Sequence, residues 1–455
     1  MTVTTRLGAP TRPSAATTVA HPATVARVAL WTAVSANVLI VDVLFLADGA
    51  GQNPLLSVAK FFGLQLALIM MLQLTLVARL PWLDRRIGMD RLTSWHRWIG
   101  FTLLWTLVLH ATFVVLGYAR LGGTPVVQTF LSLAGVTASL LGICAAAIIV
   151  LIGALSVRYI RRRLSYEAWH ALHICLYVAI LLGVVHQALE GTTFKSSPLA
   201  TAYWWTLWAF VLVSLVVGRV AIPLWRNAYH RFRVAAVVPE SDSVVSVHIT
   251  GRHLDRLPAR AGQFFIWRFL GHNHWWQANP FSLSAAPNGR SLRLTAKAVG
   301  ATSAGLRHVP VGTRVFAEGP YGAFTAQQQI REAILLIAGG VGVTPIRALL
   351  EESAGRAIVL YRVHDPADAV LLPELQALAR DRGAQLYLLS GRTGAGSPPN
   401  QPFDPRNLLA MVPDITDRDV FVCGPPAMTT AVLRSLRALR VPRLQVHAER
   451  FRLAG

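Results

Sequence analysis

The chain of 455 residues has little charge, little acid, almost no lysine and few cysteines. Only 14% of its residues are charged while 53% are hydrophobic, which excludes a disordered chain or a charged tail. Three cysteines exclude a disulfide scaffold. Asp and Glu number 22 against 43 Lys and Arg, for a net charge of +21. So basic a chain would ordinarily suggest nucleic acid. Yet only three of the basic residues are lysines, and the arginines fall in short clusters between apolar runs. No nucleic-acid recognition motif, catalytic triad, metal-hydrolase signature or calcium loop is present. The lipid bilayer is the expected partner instead.

Six apolar runs reach the roughly 20 residues that a membrane helix needs: about 28–47, 58–78, 98–118, 130–155, 169–189 and 201–222. The first run is too long for the apolar core of a signal peptide, roughly 7–15 residues. Residues 1–24, rich in Thr, Ala and Pro, read as a loose tail. Charge divides the chain near Pro223. Residues 1–225 hold 16 basic and 6 acidic side chains, net +10, and residues 226–455 hold 27 and 16, net +11. The basic loops mark one side: Arg79, Arg85, Arg86, Arg91 and Arg97 after the second run, and Arg158, Arg161, Arg162 and Arg163 after the fourth. The opposite loops offer only Lys60, Arg120 and Lys195. The positive-inside rule then places the N-terminus and everything after 222 in the cytoplasm, in a multi-pass protein of the cell membrane.

Ionisable residues inside membrane helices point to function. The third run carries His96 and His110, and the fifth carries His170, His173 and His186. Both runs cross in the same direction. Spacings of 14 and 13 residues, at 1.5 Å per residue, set two levels about 20 Å apart. A single membrane histidine more often bonds a neighbouring helix. Four at matching levels on two parallel helices suit two iron centres held from both sides, as in haem ligation. A 13-residue step ends about 140° away from its starting face, so the fifth helix must twist, bend near Gly183 or present its ligands at different angles. His170 rivals His173 for the inner position. Zinc fits poorly without an i, i+4 pair.

From about 228 to 326 the pattern turns to short strands broken by Gly and Pro, such as "SVVSVHIT" and "SLRLTAKAV", which suggest a small antiparallel barrel. From about 331 onward strands alternate with helices, which predicts a parallel sheet. The loop Gly339-Gly340-Val341-Gly342-Val343-Thr344-Pro345 joins the first of these strands to its helix, where bare N–H groups suit a pyrophosphate. The fold expected overall is a six-helix transmembrane bundle over 25–222, an antiparallel β-barrel over 228–326 and an α/β parallel-sheet nucleotide-binding domain over 331–455.

The runs "WHRWIGFTLLWTLVLH" and "WHALHICLYVAILLGVVH" resemble the third and fifth helices of the ferric reductase and NADPH oxidase superfamily. The resemblance covers about 25–455, with its motifs in the family's order. It implies two b-type haems, ligated by His96 with His173 and by His110 with His186, and leaves His170 as a neighbour. Asn279-Pro280-Phe281-Ser282 resembles the flavin motif of ferredoxin–NADP reductase-type domains, so that Phe281 packs on the FAD ring and Ser282 reaches toward its N5. Asn279 stands where the family often has Arg or His. "KAVGATSAGL" resembles a pyrophosphate segment, bringing Lys297, Gly300 and Ser303 to the cofactor. "GPYGAF", Gly319 to Phe324, resembles the closing segment of the barrel.

Gly339, Gly340, Gly342, Thr344 and Pro345, with Cys423, Gly424 and Pro425, resemble the nicotinamide half of the same module, which puts Cys423 beside the chemistry. The ending "HAERF" resembles the segment whose aromatic, here Phe451, shields the flavin. Arg362 and Arg392 suit a 2′-phosphate and favour NADPH, with NADH still open. The implied activity is NAD(P)H oxidation, through FAD and the two haems, by an extracytoplasmic one-electron acceptor. That acceptor is dioxygen, giving superoxide, or a ferric chelate. Delivery to a quinone or a periplasmic protein is an alternative within the class. A six-helix transporter or sensor with a cytoplasmic regulatory domain is the alternative outside it. The flavin and nicotinamide motifs count against that reading, as does the expected lack of broken helices. Nothing in the sequence fixes an oligomeric state.

Overall fold

A computed structural model describes residues 22–49, 52–157, 163–164, 166–272, 277, 279–353, 355–394 and 400–450. Phe451 and the arginines 158, 161 and 162 lie outside the described residues.

Among the described residues six helices are long and apolar enough to cross a membrane: Ala23–Ala47, Pro54–Val77, Met89–Gly122, Thr137–Leu155, Glu167–Glu190 and Pro198–His230. They arise from α1 (Pro22–Ala47), α2 (Pro54–Val77), a short α3 (Pro81–Ile87), α4 (Met89–Gly122), α5 (Val126–Ala134), α6 (Thr137–Leu155), α7 (Tyr166–Ile174), α8 (Leu176–Glu190), α9 (Pro198–Val216) and α10 (Ile222–His230). Local chemistry sets the starts. Asn53 and Ser197 cap α2 and α9 through their side chains, each with a proline at the next position, where the missing N–H costs nothing. Gly123, at φ 60°, ends α4.

Two details differ from the sequence reading. The fourth span begins at Thr137, because 126–134 form the separate α5. The fifth span is broken at Cys175, not bent at Gly183. Gly183 is instead buried, and a Cβ there would lie 3.2 Å from Met70 Cε.

Lipid gives little drive to bury apolar groups, so close approach at small residues holds such helices together. Gly117 and Gly153 allow this: an added Cβ would come 2.6 Å from Leu56 and 3.0 Å from Leu104. α2 lies along α4, and α6 along α8. Trp204 and Trp208 fill the space between α9, α1 and α2.

The last span runs on into the second half. α9 passes through a π turn, Val217–Ala221, into α10. Next come β1 (Arg233–Ser241), β2 (Val244–Thr250), β3 (Phe264–Phe269), β4 (Asn279–Ser282), β5 (Ser291–Lys297), α11 (Ala301–Gly305) and β6 (Val315–Tyr321). They form two three-stranded antiparallel sheets, β1-β2-β5 and β4-β3-β6, around one core that includes Val247, Phe265, Trp267 and Leu294. Single bridges, Leu283–Leu294 and Arg233–Arg314, join the sheets at the two seams. The result is barrel-like without a continuous closed ladder.

The final unit contains β7 (Ala333–Gly339), α12 (Val343–Glu352), β8 (Ala357–Arg362), α13 (Leu372–Asp381), β9 (Gln385–Leu389), α14 (Pro405–Met411), β10 (Arg418–Gly424), α15 (Pro426–Ala438) and β11 (Val446–Arg450). Its five strands form a sheet in the order β11-β10-β7-β8-β9, with every pairing parallel. All seven residues of β7 are buried, because helices cover both faces of such a sheet. Leu336 and Ala338 face one core, Leu335 and Ile337 the other.

Candidate functional site

The membrane histidines are held in two unlike ways. At the inner level, nearest the reductase unit, the His96 and His173 rings face each other with centroids 6.1 Å apart and planes at 74°. Two imidazoles holding one iron through nitrogens at about 2 Å would have ring centres about 6 Å apart, and the spacing of this pair suits that role. His96 Nδ1 lies 3.3 Å from Gln73 O. His173 stacks on Trp169 at 4.9 Å, and its Nδ1 is buried without a hydrogen-bond partner. The helix irregularity at Cys175 lies two residues beyond His173. His170 is exposed, and it is His173 that faces His96.

The outer level is built by repetition. His110 on α4 sets Nδ1 2.9 Å from Ala59 O on α2. His186 on α8 sets Nδ1 2.8 Å from Ala138 O on α6. Four residues after each carbonyl stands a glycine. A Cβ on Gly63 would lie 2.8 Å from His110 Cε1, and one on Gly142 would lie 3.0 Å from His186 Cε1. Each imidazole thus rests on the bare backbone of its partner helix. An Nδ1–H donated to a carbonyl leaves Nε2 with its lone pair, the form that binds a metal. Among the described residues no three His, Cys, Asp or Glu side chains gather as a metal site.

In the barrel-like unit, Asn279, Pro280, Phe281 and Ser282 form β4. The Asn279 amide donates to Trp267 O at 3.3 Å, so it serves the barrel backbone. Phe281 is half-buried and Pro280 exposed. Ser282 is 3% exposed, and its hydroxyl has no partner among the described residues. An orphaned buried hydroxyl of this kind is uncommon in a folded protein. Lys297 is exposed at the end of β5. Ser303 is turned inward: its oxygen accepts from Val299 N at 3.0 Å and Gly300 N at 3.1 Å. The Ser303 hydroxyl therefore closes its own turn, while Gly300 has open space around it.

In the parallel sheet, β7 and β10 are neighbours, and their C-terminal loops pack backbone on backbone. A Cβ on Gly342 would come 2.3 Å from Cys423 O, one on Gly424 3.1 Å from Gly339 Cα, and one on Gly339 2.5 Å from Met428 Sδ. These glycines serve packing. Gly340 alone of the loop has φ 52° and open space beyond it. Thr344 donates to Val341 O at 3.0 Å and, with Pro345, is buried at the start of α12. Pro425 is exposed just before α15. Ligands of parallel sheets bind at this edge, beyond the carboxyl ends of the strands.

Arg362 is 7% exposed and is spent on the chain after β9, donating to Leu389 O at 3.2 Å, to Gly391 O and to Thr393 Oγ1 at 3.2 Å. Arg392 is exposed at the end of β9, so of the two arginines it is the one presented to solvent. Cys423 is wholly buried; burial, with Glu449 beside it, pushes the thiol well above its ordinary pKa.

Sequence reasoning missed the junction between the two halves. Glu449 pairs in register with Cys423. Burial raises its carboxyl to about 8, with Asp90 and Asp84 of the membrane half adding to the rise. Asp84 Oδ2 accepts from Gly322 N at 2.8 Å, and burial lifts this carboxyl to about 6. Arg79 and Arg268 both pair with Glu318 on β6. Asn227 on α10 exchanges two bonds of 2.8 Å with Ala317. An isolated Asp or Glu in a basic loop was the available signal, but only the fold supplies its partner. The host carbonyls Ala59, Gln73 and Ala138 and the seats Gly63 and Gly142 were missed for the same reason.

The family description "Ferric reductase like transmembrane component" matches residues 62–184, which include His96, His110 and His173 and end two residues before His186. "Oxidoreductase NAD-binding domain" matches 336–434. The ferredoxin–NADP reductase B of Sorangium cellulosum is 33% identical over 189 residues, 38% of this chain and 77% of that protein. The ferredoxin reductase component of the 3-ketosteroid-9-alpha-monooxygenase of Mycobacterium tuberculosis is 32% identical over 239 residues. That match takes in 48% of this chain, and the chain spans only 64% of that relative's length. A solved structure, the flavohem-like FAD/NAD binding domain of the Vibrio cholerae nitric oxide dioxygenase, is similar at 24% identity and a TM-score of 0.38. It covers 49% of this chain and 98% of its own. The chain thus joins a ferric reductase-like transmembrane component to a ferredoxin–NADP reductase-type module.

Proposed function

We propose that the protein oxidises NADPH, or NADH, at its cytoplasmic module and delivers the electrons across the cell membrane to a one-electron acceptor on the far side, dioxygen or a ferric chelate. The observation that carries this reading is the facing pair His96 and His173, 6.1 Å apart, together with a second, backbone-pinned pair one level further out. When bound, FAD supplies the change from two-electron to one-electron chemistry, and a b-type haem at each level supplies a one-electron carrier.

The chain's own residues perform the rest. His96 with His173, and His110 with His186, would hold the two haem irons through their Nε2 lone pairs. Ala59, Ala138 and Gln73 hold three of those imidazoles in the right tautomer through their carbonyls. Ser282 offers a buried, unengaged hydroxyl, and Phe281 a half-covered ring face, to the flavin. The open backbone at Gly340 and the loop Cys423–Pro425 form the edge offered to the dinucleotide. Arg392 is the residue placed to meet a 2′-phosphate, and Phe451 is proposed as the flavin cover. The visible spectrum of the purified full-length protein tests this: NADPH without oxygen should develop reduced b-type bands equal to two haems per chain. A protein with no haem bands would end the reading.

A further inference from the structure

The six-helix bundle meets the barrel-like unit over a cavity of about 300 Å³. It is lined by Trp225, Arg226, Tyr229 and His230 of α10 and by Arg256 and Pro258 of the barrel-like unit. Its height in the bilayer follows from the helix. At 1.5 Å per residue, Trp225 lies about 40 Å along the helix from Pro198, the thickness of a bilayer with its headgroups. One face of this helix carries exposed Val213, Val217, Val220 and Leu224, a lipid-facing stripe at helical spacing that stops beside the cavity. Trp225 is 61% exposed there, as interfacial tryptophans are.

The lining is aromatic and cationic. Trp225 stacks on Tyr229 at 5.5 Å and Tyr229 on His253 at 4.9 Å. Arg256 Nη1 donates to the Tyr229 hydroxyl at 3.0 Å. Arg226 donates to Gly319 O of the barrel-like unit. Exposed Arg231 and Arg252 lie beside these groups in sequence. Among the described residues none of these four arginines pairs with a carboxylate. The nearest acid in sequence, Asp255, lies against Gly289.

Guanidinium groups without acid partners, an aromatic wall and headgroup depth together describe a receptor for a lipid phosphate. We propose that this cavity binds the phosphate of an anionic phospholipid from the leaflet facing the reductase module. One arginine comes from the membrane helix and one from the barrel-like unit, so the lipid ties the two together. The proposal needs only the bilayer reading, and it stands or falls apart from the electron-transfer reading.

The test uses the full-length protein in detergent, with retained ligand counted by native mass spectrometry. The probes are short-chain phosphatidylglycerol, short-chain phosphatidylcholine and inorganic phosphate. Phosphatidylglycerol should bind at least about tenfold more tightly than phosphatidylcholine, and Arg256→Gln should weaken it roughly fivefold. Tyr229→Phe removes only a hydroxyl and carries the test if Arg256→Gln fails to fold; it should weaken phosphatidylglycerol but not phosphatidylcholine. Equal binding of the two lipids overturns the proposal, as does binding indifferent to both substitutions. Inorganic phosphate displacing the lipid at equal concentration also overturns it, by making the site one for a free anion.

Discussion

The two histidine levels do the same geometric job by different means. The outer imidazoles are each fixed twice, by a carbonyl at 2.8–2.9 Å and by a glycine under the ring. The inner pair has one long contact, from His96 to Gln73 O at 3.3 Å, and one stacking partner, Trp169 beneath His173. The outer level therefore depends on what the neighbouring helices lack, namely two side chains. The inner level depends on what its own helix adds. A ring fixed by backbone cannot turn without moving a helix. A ring held by stacking can tilt.

The sharpest way to break this comparison is to remove a ligand. His110→Leu or His186→Leu should each lose one of two haems, read as halved haem content, while NAD(P)H still bleaches the flavin. Two full haems in both variants would overturn the ligand assignment. A smaller effect is expected from Gly63→Ala and Gly142→Ala. A methyl at 2.8 or 3.0 Å from the imidazole must displace the ring or the helix, at about 1–3 kcal/mol. The low-spin signal of the outer haem in electron paramagnetic resonance should shift, with the inner signal unchanged. An unmoved outer signal would show that the glycines do not orient the rings. The smallest effect belongs to Trp169→Ala, which should move only the inner signal and keep haem content whole. Loss of the outer haem instead would collapse the distinction between the levels.

Much of this architecture was legible because its causes are local. A run of 20 apolar residues needs no partner to be recognised, and six such runs became six spans. His96, His110 and His186 could be placed because helical rise is fixed. The irregularity at Cys175 could not be read, since no Gly or Pro marks it. Gly183 looked like a hinge because glycine is permissive, yet its use is the close approach of Met70. Ser303 and Arg362 carried the chemistry expected of phosphate ligands. Nothing in their sequence context shows that a turn and a loop would claim those groups first. Gly63 and Gly142 were invisible for the opposite reason: their meaning lies in the helix each one touches.

The last membrane helix does not stop at the bilayer. It winds through the π turn Val217–Ala221, where Gly218 presses so close to the Ala78 carbonyl that a Cβ would lie 2.0 Å from it. It then hands Asn227 to Ala317 for two reciprocal bonds. In mechanical terms this is a keyed shaft. The π turn sets its azimuth, and one residue more or fewer between Gly218 and Asn227 would swing the module by about 100° around the helix axis. The residue count of this stretch is what aims the reductase module.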